Sequence, residues 1–430
     1  MNVLHVWVAS PTRRILVARR RHGDPDRPVP YERQDERMRK TMRKRSGARI
    51  GLVGTIALAI GLIATPAQAA EGRILAAGSA TAIPDSYIVK LRHAGDPEAV
   101  ANRFGAKVGK VYTNSLKGFS ATLSERQAKR LAADPEVDSV EQNQVVHATT
   151  TQVNPPSWGL DRIGQPGLPL NQRYEYTTTG AGVNVYVIDT GVRISHRTFG
   201  GRARNGFDFI DNDTVAQDGN GHGTHVAGTI AGAEYGIAKG ATIYAVRVLD
   251  NSGSGTIAGV IAGVDWVTKN HTNPAVANLS LGGGISDTLD NAVRQSINSG
   301  VTYGIAAGNE SADSSSSSPA RVSEAITVGS TTTTDVRSGF SNFGPGVDVF
   351  APGSAITSSS NGSDTASATL SGTSMATPHV VGIVARYLQN HRTAKPAEVA
   401  TAITNASVKN KVTDPGPGSP NRLLFWLPTS

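Results

Sequence analysis

The sequence contains no cysteine and few aromatic side chains: of its 430 residues, 5% are Phe, Trp or Tyr. Without a thiolate, the chain cannot carry a cysteine nucleophile, a thiolate metal site or an iron–sulfur cluster. No disulfide can stabilise it, so its stability depends on its core, its loops and bound ions. Hydrophobic residues make up 38% and charged residues 18%, which is typical of a globular protein and excludes collagen, coiled coils and disulfide-rich mini-proteins. The length indicates about two or three structural units.

Positive charge is concentrated at the N-terminal end. The whole chain has a net charge of +8, but residues 1–50 alone carry 14 Lys+Arg against 5 Asp+Glu. The remaining residues are therefore close to neutral, with a net charge of −1. A nucleic-acid-binding domain carries its basic patch on the folded surface. We therefore expect no nucleic-acid partner.

The one long apolar run has the flanks of a secretory signal peptide. A basic stretch precedes Ile50–Ala64, and Ala67 and Ala69 then form an A-x-A cleavage sequence. The alternative is a transmembrane anchor, but the run is shorter than the ~20 residues that a span needs. The pattern predicts a signal peptide over residues 38–69, a secreted, extracellular protein, and no stable membrane span after cleavage.

Residues 1–37 fit neither a signal peptide nor a domain. Met38 and Met42 are alternative starts close to the signal peptide. We predict that residues 1–37 are an additional N-terminal extension or are not translated.

Residues 70–150 are predicted to form a small domain of their own, with a core at 82–147. Its strand-like and helix-like segments follow each other in the order β-α-β-β-α-β, the α+β ferredoxin-like pattern. The strand-like segments are Tyr87–Leu91, Val108–Tyr112, Gly118–Leu123 and Val137–Val146, and the helices start after Asp96 and Ser124. Ser124 and Gln127 have the spacing of a capping box. The polar stretch His147–Pro156 is predicted to be a linker.

Residues 151–430 have the alternation of a parallel α/β sheet. Short runs rich in Val, Ile and Ala alternate with helix-like stretches, which indicates buried strands covered by helices. The strands are predicted at Val183–Ile188, Thr242–Val248, Val276–Leu281, Val301–Ala306 and Ala325–Val328; the helices at His225–Gly232, Thr256–Asn270, Ser286–Ser299 and His379–Leu388. Ligands of such sheets bind at the carboxyl ends of the strands.

Three polar segments supply the groups for nucleophilic catalysis by a hydroxyl. Asp189 ends an apolar strand in VYVIDTG, His222 lies in the Gly-rich DGNGHGTHVAG, and Ser374 lies in GTSMATP before an apolar helix. A serine nucleophile needs a base, and the base needs a carboxylate that fixes its tautomer. The backbone N–H of Ser374 at a helix start and the side chain of Asn309, in IAAGN, could both donate to a developing oxyanion.

Each of these residues also has an ordinary structural explanation. A single Asp at a strand end is usually a turn or cap residue, Ser374 could be an N-cap, and Asn309 could be a turn residue. His225 and His379 are predicted to be structural histidines. The catalytic interpretation rests on the co-occurrence of all the motifs. Four carboxylates over residues 208–218 lack the spacing of an EF-hand, and we expect them to lie in a solvated loop.

Together these motifs resemble the subtilisin-like serine proteases of the peptidase S8 family, in the branch of proteinase K and aqualysin. The resemblance covers about residues 156–427, and the order Asp, His, Ser is that of subtilisin. It implies an α/β three-layer fold and a secreted serine endopeptidase acting on proteins or peptides as a monomer. The small domain resembles the inhibitor I9-type propeptide of this family. This implies a zymogen whose propeptide acts as intramolecular inhibitor and chaperone and is removed near His147–Thr151.

The resemblance also assigns roles to individual residues. Asp189, His222 and Ser374 would form the triad, and Asn309 with the Ser374 amide the oxyanion hole. The S1 pocket would be walled by Ser280, Leu281, Gly282, Gly283, Ala306, Ala307 and Gly308. An edge strand for the substrate would come from Ser252, Gly253, Ser254 and Gly255, with Leu249 and Ile257 at the S4 pocket. Small, uncharged S1 walls imply a preference for apolar or aromatic P1 side chains.

The resemblance implies no organic cofactor but a structural calcium ion. Its ligands would be the carboxylate of Asp348 and the backbone carbonyls of Ser323 and Ala325, which suit a hard cation. Two other functions stay open at this point. The first is a pseudoprotease that keeps the fold for binding, although all the triad residues are present. The second is a different serine hydrolase such as a lipase, although a lipase would place the nucleophile in G-x-S-x-G and ahead of the Asp and the His.

Overall fold

The computed structural model describes residues 3–6, 70–79, 82–93, 95–144 and 150–427. The predicted signal peptide at 38–69 and most of the extension at 1–37 lie outside the described residues. The chain divides into two compact units, one built around Tyr87–Glu141 and the other around Gln142–Ser430. Strand β1, Val3–Val6, belongs to the larger unit.

The smaller unit contains a five-stranded sheet with two helices. Its strands are β2 (Ile74–Leu75), β3 (Ala82–Leu91), β4 (Lys107–Tyr112), β5 (Gly118–Thr122) and β6 (Val137–Gln144), and its helices are α1 (Pro97–Arg103) and α2 (Glu125–Leu131). The strand order is β2-β6-β3-β5-β4. Without the short β2, this is the strand order of the predicted ferredoxin-like pattern. Both predicted helix starts are confirmed: the Asp96 side chain accepts from the N–H of Glu98, and Ser124 with Gln127 forms a capping box.

The larger unit is a nine-stranded sheet between two helical layers. Its strands are β9 (Asn184–Asp189), β10 (Ala203–Asp208), β11 (Thr242–Arg247), β13 (Ala275–Leu279), β15 (Thr302–Ala306), β16 (Ile326–Thr331), β17 (Val349–Pro352), β20 (Val408–Lys409) and β21 (Arg422–Leu423). The sheet order is β10-β11-β9-β13-β15-β16-β17-β21-β20, and every neighbouring pair is parallel except β20 with β21. The parallel α/β fold is therefore as predicted.

Shorter strands and the helices complete the larger unit. The strands outside the main sheet are β7 (Thr150–Val153), β8 (Arg173–Tyr176), β12 (Ser254–Thr256), β14 (Leu281–Gly282), β18 (Ile356–Ser359) and β19 (Ser367–Leu370). The α-helices are α3 (Trp158–Ile163), α4 (His222–Ala231), α5 (Ile257–Asn270), α6 (Asp287–Asn298), α7 (Thr373–Asn390) and α8 (Pro396–Ala406). Short 3₁₀ turns occur at Arg197–Phe199 and Ser314–Ser316.

Alternating side chains of β9 show why the sheet is covered on both faces. Val185 and Val187 belong to one buried cluster, together with residues of α4 and α7. Tyr186 and Ile188 belong to a second cluster, with residues of α5 and α6. Successive side chains of a strand point to opposite faces, so a strand that is apolar throughout needs a helical layer on each side.

Three sequence-based boundaries were wrong. The helix predicted over His225–Gly232 begins three residues earlier, at His222. Thr150–Val153, predicted to be part of a linker, forms β7 and pairs antiparallel with β8. Consecutive threonines are β-branched and suit a strand, although they are polar. The helix predicted from His379 begins six residues earlier, at Thr373, and continues through Pro378. Within the part of the chain that the structure describes, no helix has the length and apolarity that a membrane crossing requires.

Candidate active site

The predicted site residues meet at one edge of the large sheet. Asp189 ends β9, Ser280 directly follows β13, and Asn309 follows β15 by three residues. In a parallel sheet the carboxyl ends of these strands lie along the same edge. His222 is the first residue of α4, and Ser374 is the second residue of α7. Strand ends and helix starts thus bring together residues far apart in the sequence.

Asp189 and His222 form a buried hydrogen-bonded pair. His222 Nδ1 lies 2.8 Å from Asp189 Oδ1, and both side chains are almost fully buried. The same carboxylate oxygen accepts the backbone N–H of Thr190 at 2.7 Å. The loops that carry the pair are in direct contact, since a Cβ added to Gly223 would lie 2.1 Å from the carbonyl oxygen of Gly191. A side chain at Gly223 would therefore separate the two loops.

Ser374 is bound to the main chain of Ser280. Its hydroxyl donates to the Ser280 carbonyl oxygen at 3.0 Å, and Ser280 Oγ donates to the Ser374 carbonyl oxygen at the same distance. His222 Nε2 is buried and has no hydrogen-bond partner among the described residues. The nitrogen opposite the Asp189 contact is thus free to accept a proton.

Asn309 presents an unpaired amide donor beside the start of α7. Its side-chain oxygen accepts from the backbone N–H and the hydroxyl of Thr373, at 2.9 and 3.0 Å. Since the oxygen is held there, Nδ2 points elsewhere, and it is buried with no partner among the described residues. Gly308 has φ +110°, and a Cβ there would lie 2.2 Å from Asn342 Nδ2. Only glycine fits this turn between β15 and Asn309.

An extended segment lies between two short strands of the larger unit. The backbone of Val3–Val6 pairs antiparallel with β12 on one side and with β14 on the other. Leu4 lies opposite Gly255, and Val6 opposite Leu281. The groove between β12 and β14 therefore accommodates an extended chain as the central strand of a small sheet.

The residues predicted for the substrate pockets lie in or next to β11, β12, β13, β14 and β15. Buried residues among them are Ser280, Leu281, Gly282, Ala306, Ala307 and Gly308, whereas Gly283 is half-buried. The turn before β12 is held by Asp250, whose Oδ1 accepts the N–H groups of Ser252 and Ser254 at 2.9 and 3.0 Å. Gly253 is buried in that turn and Gly255 is half-buried. Leu249 is buried in the core beside α5, and Ile257 packs partly against the same cluster.

His225 and His379 are buried next to the site without belonging to it. His225 Nε2 lies 3.0 Å from the Ile356 carbonyl, and His379 Nδ1 lies 2.9 Å from that of Met375. Burial lowers the pKa of His225 to about 3 and that of His379 to about 4. Both are therefore neutral at pH 7, as expected of structural histidines.

The prediction of a solvated acidic loop was wrong for two of its four carboxylates. Asp208 is 1% exposed and bonds Arg247 Nη1 at 2.7 Å, and Asp218 is 3% exposed. Among the described residues, no group of three or more His, Asp or Glu side chains is placed to hold a metal ion. Two of the three calcium ligands proposed from the sequence are backbone carbonyls, those of Ser323 and Ala325, and Ser323 is exposed. The third ligand, Asp348, lies near them, since its Oδ2 accepts the N–H of Thr327, two residues after Ala325.

Comparisons with known proteins match both units. Residues 180–423 match the Subtilase family, and residues 86–149 match Peptidase inhibitor I9. The extracellular serine proteinase of Thermus sp. (strain Rt41A) is 54% identical over 321 residues, which are 75% of this chain and 78% of that protein. Alkaline serine exoprotease A of Vibrio alginolyticus is 49% identical over 367 residues, 80% of this chain and 68% of that protein. A solved cold adapted subtilisin-like serine proteinase has a TM-score of 0.62 and 54% identity, covering 63% of this chain and 98% of its own.

Proposed function

Because this chain belongs to the subtilase family of serine endopeptidases, we propose that Asp189, His222 and Ser374 are the triad with which it hydrolyses protein substrates. The observation that carries the proposal is the His222 ring, which is bound to Asp189 through Nδ1 and unpaired at Nε2. A histidine oriented in this way is ready to act as general base.

The acylation step follows from these contacts. The Ser374 hydroxyl rotates from the Ser280 carbonyl to His222 Nε2, which takes its proton as Oγ attacks the substrate carbonyl carbon. Asp189 keeps Nδ1 protonated and stabilises the imidazolium that forms. When the tetrahedral intermediate collapses, His222 gives the proton to the leaving amine, and the acyl group stays on Ser374. Water then repeats the sequence and releases the acid.

Two donors stabilise the negative charge of the tetrahedral intermediate. Asn309 Nδ2 is the first, because Thr373 fixes the amide oxygen and leaves the nitrogen unpaired. The backbone N–H of Ser374 is the second, since N–H groups in the first turn of a helix have no helical acceptor. The positive end of the helix dipole of α7 adds to the field. Both donors are in position before the reaction, so they stabilise the transition state without reorganisation.

Substrates bind as extended strands with broad specificity. The support is the antiparallel pairing of Val3–Val6 with β12 and β14, because backbone pairing of this kind accepts many side chains. The segments Ser280–Gly283 and Ala306–Gly308 contain no charged residue. The S1 pocket therefore takes apolar or aromatic P1 side chains, and we expect kcat/KM to be higher for Phe or Leu at P1 than for Lys or Asp.

The inhibitor I9 domain makes the protein a zymogen. Residues 70–150 act as an intramolecular inhibitor, and as a chaperone for a parallel sheet that would otherwise fold slowly. Ser374 removes this domain by cleavage near His147–Thr151, a segment of which residues 147–149 lie outside the described part of the chain. The signal peptide at 38–69 directs secretion, and the relative from Thermus is named an extracellular proteinase. The mature enzyme acts as a monomer.

We also propose a structural calcium ion beside Asp348 and no organic cofactor. Burial raises the pKa of Asp348 to about 6, against the opposing effects of the Thr327 N–H and the charge of Arg422. A bound cation would stabilise this carboxylate, and carbonyl oxygens of Ser323 and Ala325 suit Ca²⁺. In this arrangement the ion supports the loop between β15 and β16 and takes no part in the reaction.

Intact mass and N-terminal sequencing of the secreted protein test the proposal. The natural chain is compared with Ser374→Ala, which removes only the nucleophile. We expect the natural chain to mature near Thr151 and to hydrolyse peptide substrates, and the variant to remain an uncut precursor. If both chains mature identically, self-cleavage is refuted, and if the natural chain hydrolyses no substrate after maturation, the catalytic proposal fails.

A further inference from the structure

Asp218 is a buried carboxylate whose bonds hold the chain on both sides of His222. Its Oδ1 accepts the N–H groups of Asn220 and Gly221 at 2.9 and 2.8 Å, just ahead of the histidine. Its Oδ2 accepts the N–H and the hydroxyl of Thr224 at 2.9 and 2.6 Å, just after it. One carboxylate thus fixes the entry and the first turn of the helix that carries His222.

The same carboxylate reaches the strand that carries Asp189. Thr190 donates its hydroxyl to Asp218 Oδ1 at 2.9 Å, and its own Oγ1 accepts the N–H of Gly223 at 2.9 Å. The backbone N–H of Thr190 bonds the Asp189 oxygen that faces His222. Thr190 therefore connects Asp189 to the loop of His222 at two points, and Asp218 holds Thr190 in place.

Two uncharged side chains, both asparagines, bond the main chain around Asp218. Asn361 Nδ2 donates to the Asp218 carbonyl oxygen at 3.1 Å, and Asn220 Nδ2 donates to the Asn251 carbonyl oxygen at 3.1 Å. Beyond these lie the ion pairs Arg193–Asp364 and Arg247–Asp208. Among the described residues, the hydrogen bonds to the Asp218 carboxylate all come from N–H and O–H groups of the catalytic loops. The carboxylate therefore orders these loops and is not half of a salt bridge.

We propose that Asp218, acting through Thr190, is the positioning residue for the Asp189–His222 pair. It does not touch the reacting atoms. Its five accepted hydrogen bonds set the distance and angle at which the imidazole meets both Asp189 and the Ser374 hydroxyl. This inference rests on the proposed triad, and it adds two residues to the machinery that determines kcat. A misplacement of a reacting group by about 1 Å can cost 10²-fold in rate.

Three variants, each expressed as the full chain and compared as the mature enzyme, test the proposal. Thr190→Val has nearly the same shape as threonine but removes Oγ1, whereas Thr190→Ser retains it. Asp218→Asn is isosteric but turns an NH₂ group towards donors. We expect Thr190→Val and Asp218→Asn to lower kcat about 10- to 100-fold with KM within about twofold, and Thr190→Ser to stay within about threefold of the natural enzyme.

A control distinguishes positioning from general stability. Asp335→Asn removes a buried carboxylate whose hydrogen bonds, within the described residues, go to Arg162 and not to the catalytic loops. This variant should have a lower Tm and an unchanged kcat per titrated active site. The downfield proton resonance of the His222–Asp189 hydrogen bond should shift or broaden in Thr190→Val and not in Asp335→Asn. If Thr190→Val and Asp218→Asn lower Tm while kcat and this resonance stay unchanged, the positioning role is refuted. If the natural enzyme itself shows no hydrolysis, the triad proposal has failed instead.

Discussion

The hydroxyl groups of Ser280 and Ser374 donate to each other's main-chain carbonyl oxygens, both at 3.0 Å. Pro378 makes half of this arrangement possible. A residue with an N–H at that position would bond the Ser374 carbonyl four residues back, but proline has none. The free carbonyl accepts Ser280 instead. An irregularity inside α7 thus ties the nucleophile to the strand end that walls the proposed S1 pocket.

The amide of Asn309 gives the first prediction. Asn309→Leu removes the unpaired donor, and we expect kcat to fall about 10²- to 10³-fold, as when a subtilisin loses its oxyanion-hole asparagine. KM should change little, because the donor acts on charge that exists only in the transition state. Asn309→Asp keeps an acceptor for Thr373 but puts negative charge at the oxyanion, so its loss should be at least as large. Steady-state kinetics with a chromogenic peptide measure kcat and KM of both variants. An unchanged kcat in both would contradict the assignment of Asn309 to the oxyanion hole.

Acid stability should be limited by the two buried histidines. In the unfolded chain each takes a proton below about pH 6.5, but the folded pKa values are about 3 for His225 and about 4 for His379. Between these limits the unfolded state binds more protons, so the free energy of unfolding falls as the pH falls, by about 1.4 kcal/mol per pH unit for each histidine. Denaturant titrations of enzyme inactivated with a sulfonyl fluoride, from pH 7 to pH 4, measure this slope.

A single substitution should change the pH dependence of the free energy of unfolding by the contribution of one proton. His379→Asn removes one titrating group, whereas His391→Gln, at an exposed histidine, serves as the control. We expect the slope to fall by about 1.4 kcal/mol per pH unit in the first variant and to be unaltered in the second. Equal slopes in all three proteins would mean that other groups cause the acid instability.

Calcium should stabilise the enzyme more at neutral than at acid pH. The folded pKa of Asp348, about 6, lies above its unfolded value, so without calcium this group contributes stability at low pH that is lost as the pH rises through 6. Calcium competes with that proton, and its affinity should fall about tenfold per pH unit below 6. Tm with Ca²⁺ and with a chelator, at pH 5 and pH 7.5, measures the effect. The same calcium shift in Asp348→Asn would place the ion elsewhere.

A buried ion pair should contribute to stability where disulfides do not. Arg162 is fully buried and bonds both carboxylate oxygens of Asp335, at 2.7 and 2.9 Å. Arg162→Met leaves that carboxylate buried without its partner, and we expect a loss of about 3–5 kcal/mol in the free energy of unfolding. The double variant Arg162→Met with Asp335→Asn should lose less than the sum of the two single changes. Additive losses in denaturant unfolding would show that the pair is not coupled.

The fold could be predicted, and so could the meeting of the polar segments at one edge of the sheet, because local patterns and tertiary packing agree there. The apolar strands that end at Asp189 and just before Asn309 can be recognised from the sequence, because buried parallel strands are runs of apolar residues. The capping box at Ser124 depends only on residues close to it in the sequence. The role of Asp218 could not be predicted, since an aspartate among several glycines is typical of an exposed loop. Its burial depends on tertiary contacts that the local sequence does not show. β7 was missed because its pairing with Arg173–Tyr176 involves residues that lie about twenty positions away.

The proposed substrate groove between β12 and β14 has a consequence for the lifetime of the enzyme. A site that recognises backbone in an extended form does not distinguish foreign chains from its own, and in this structure it holds four residues of the same chain. Once the enzyme is free of its inhibitor, any segment that opens locally becomes a substrate for a neighbouring molecule. When such opening is fast compared with cleavage, digestion follows the population of the open form. The working life of this enzyme is then set by its least stable loop, and a calcium ion or ion pair that closes such a loop acts as protection against self-digestion.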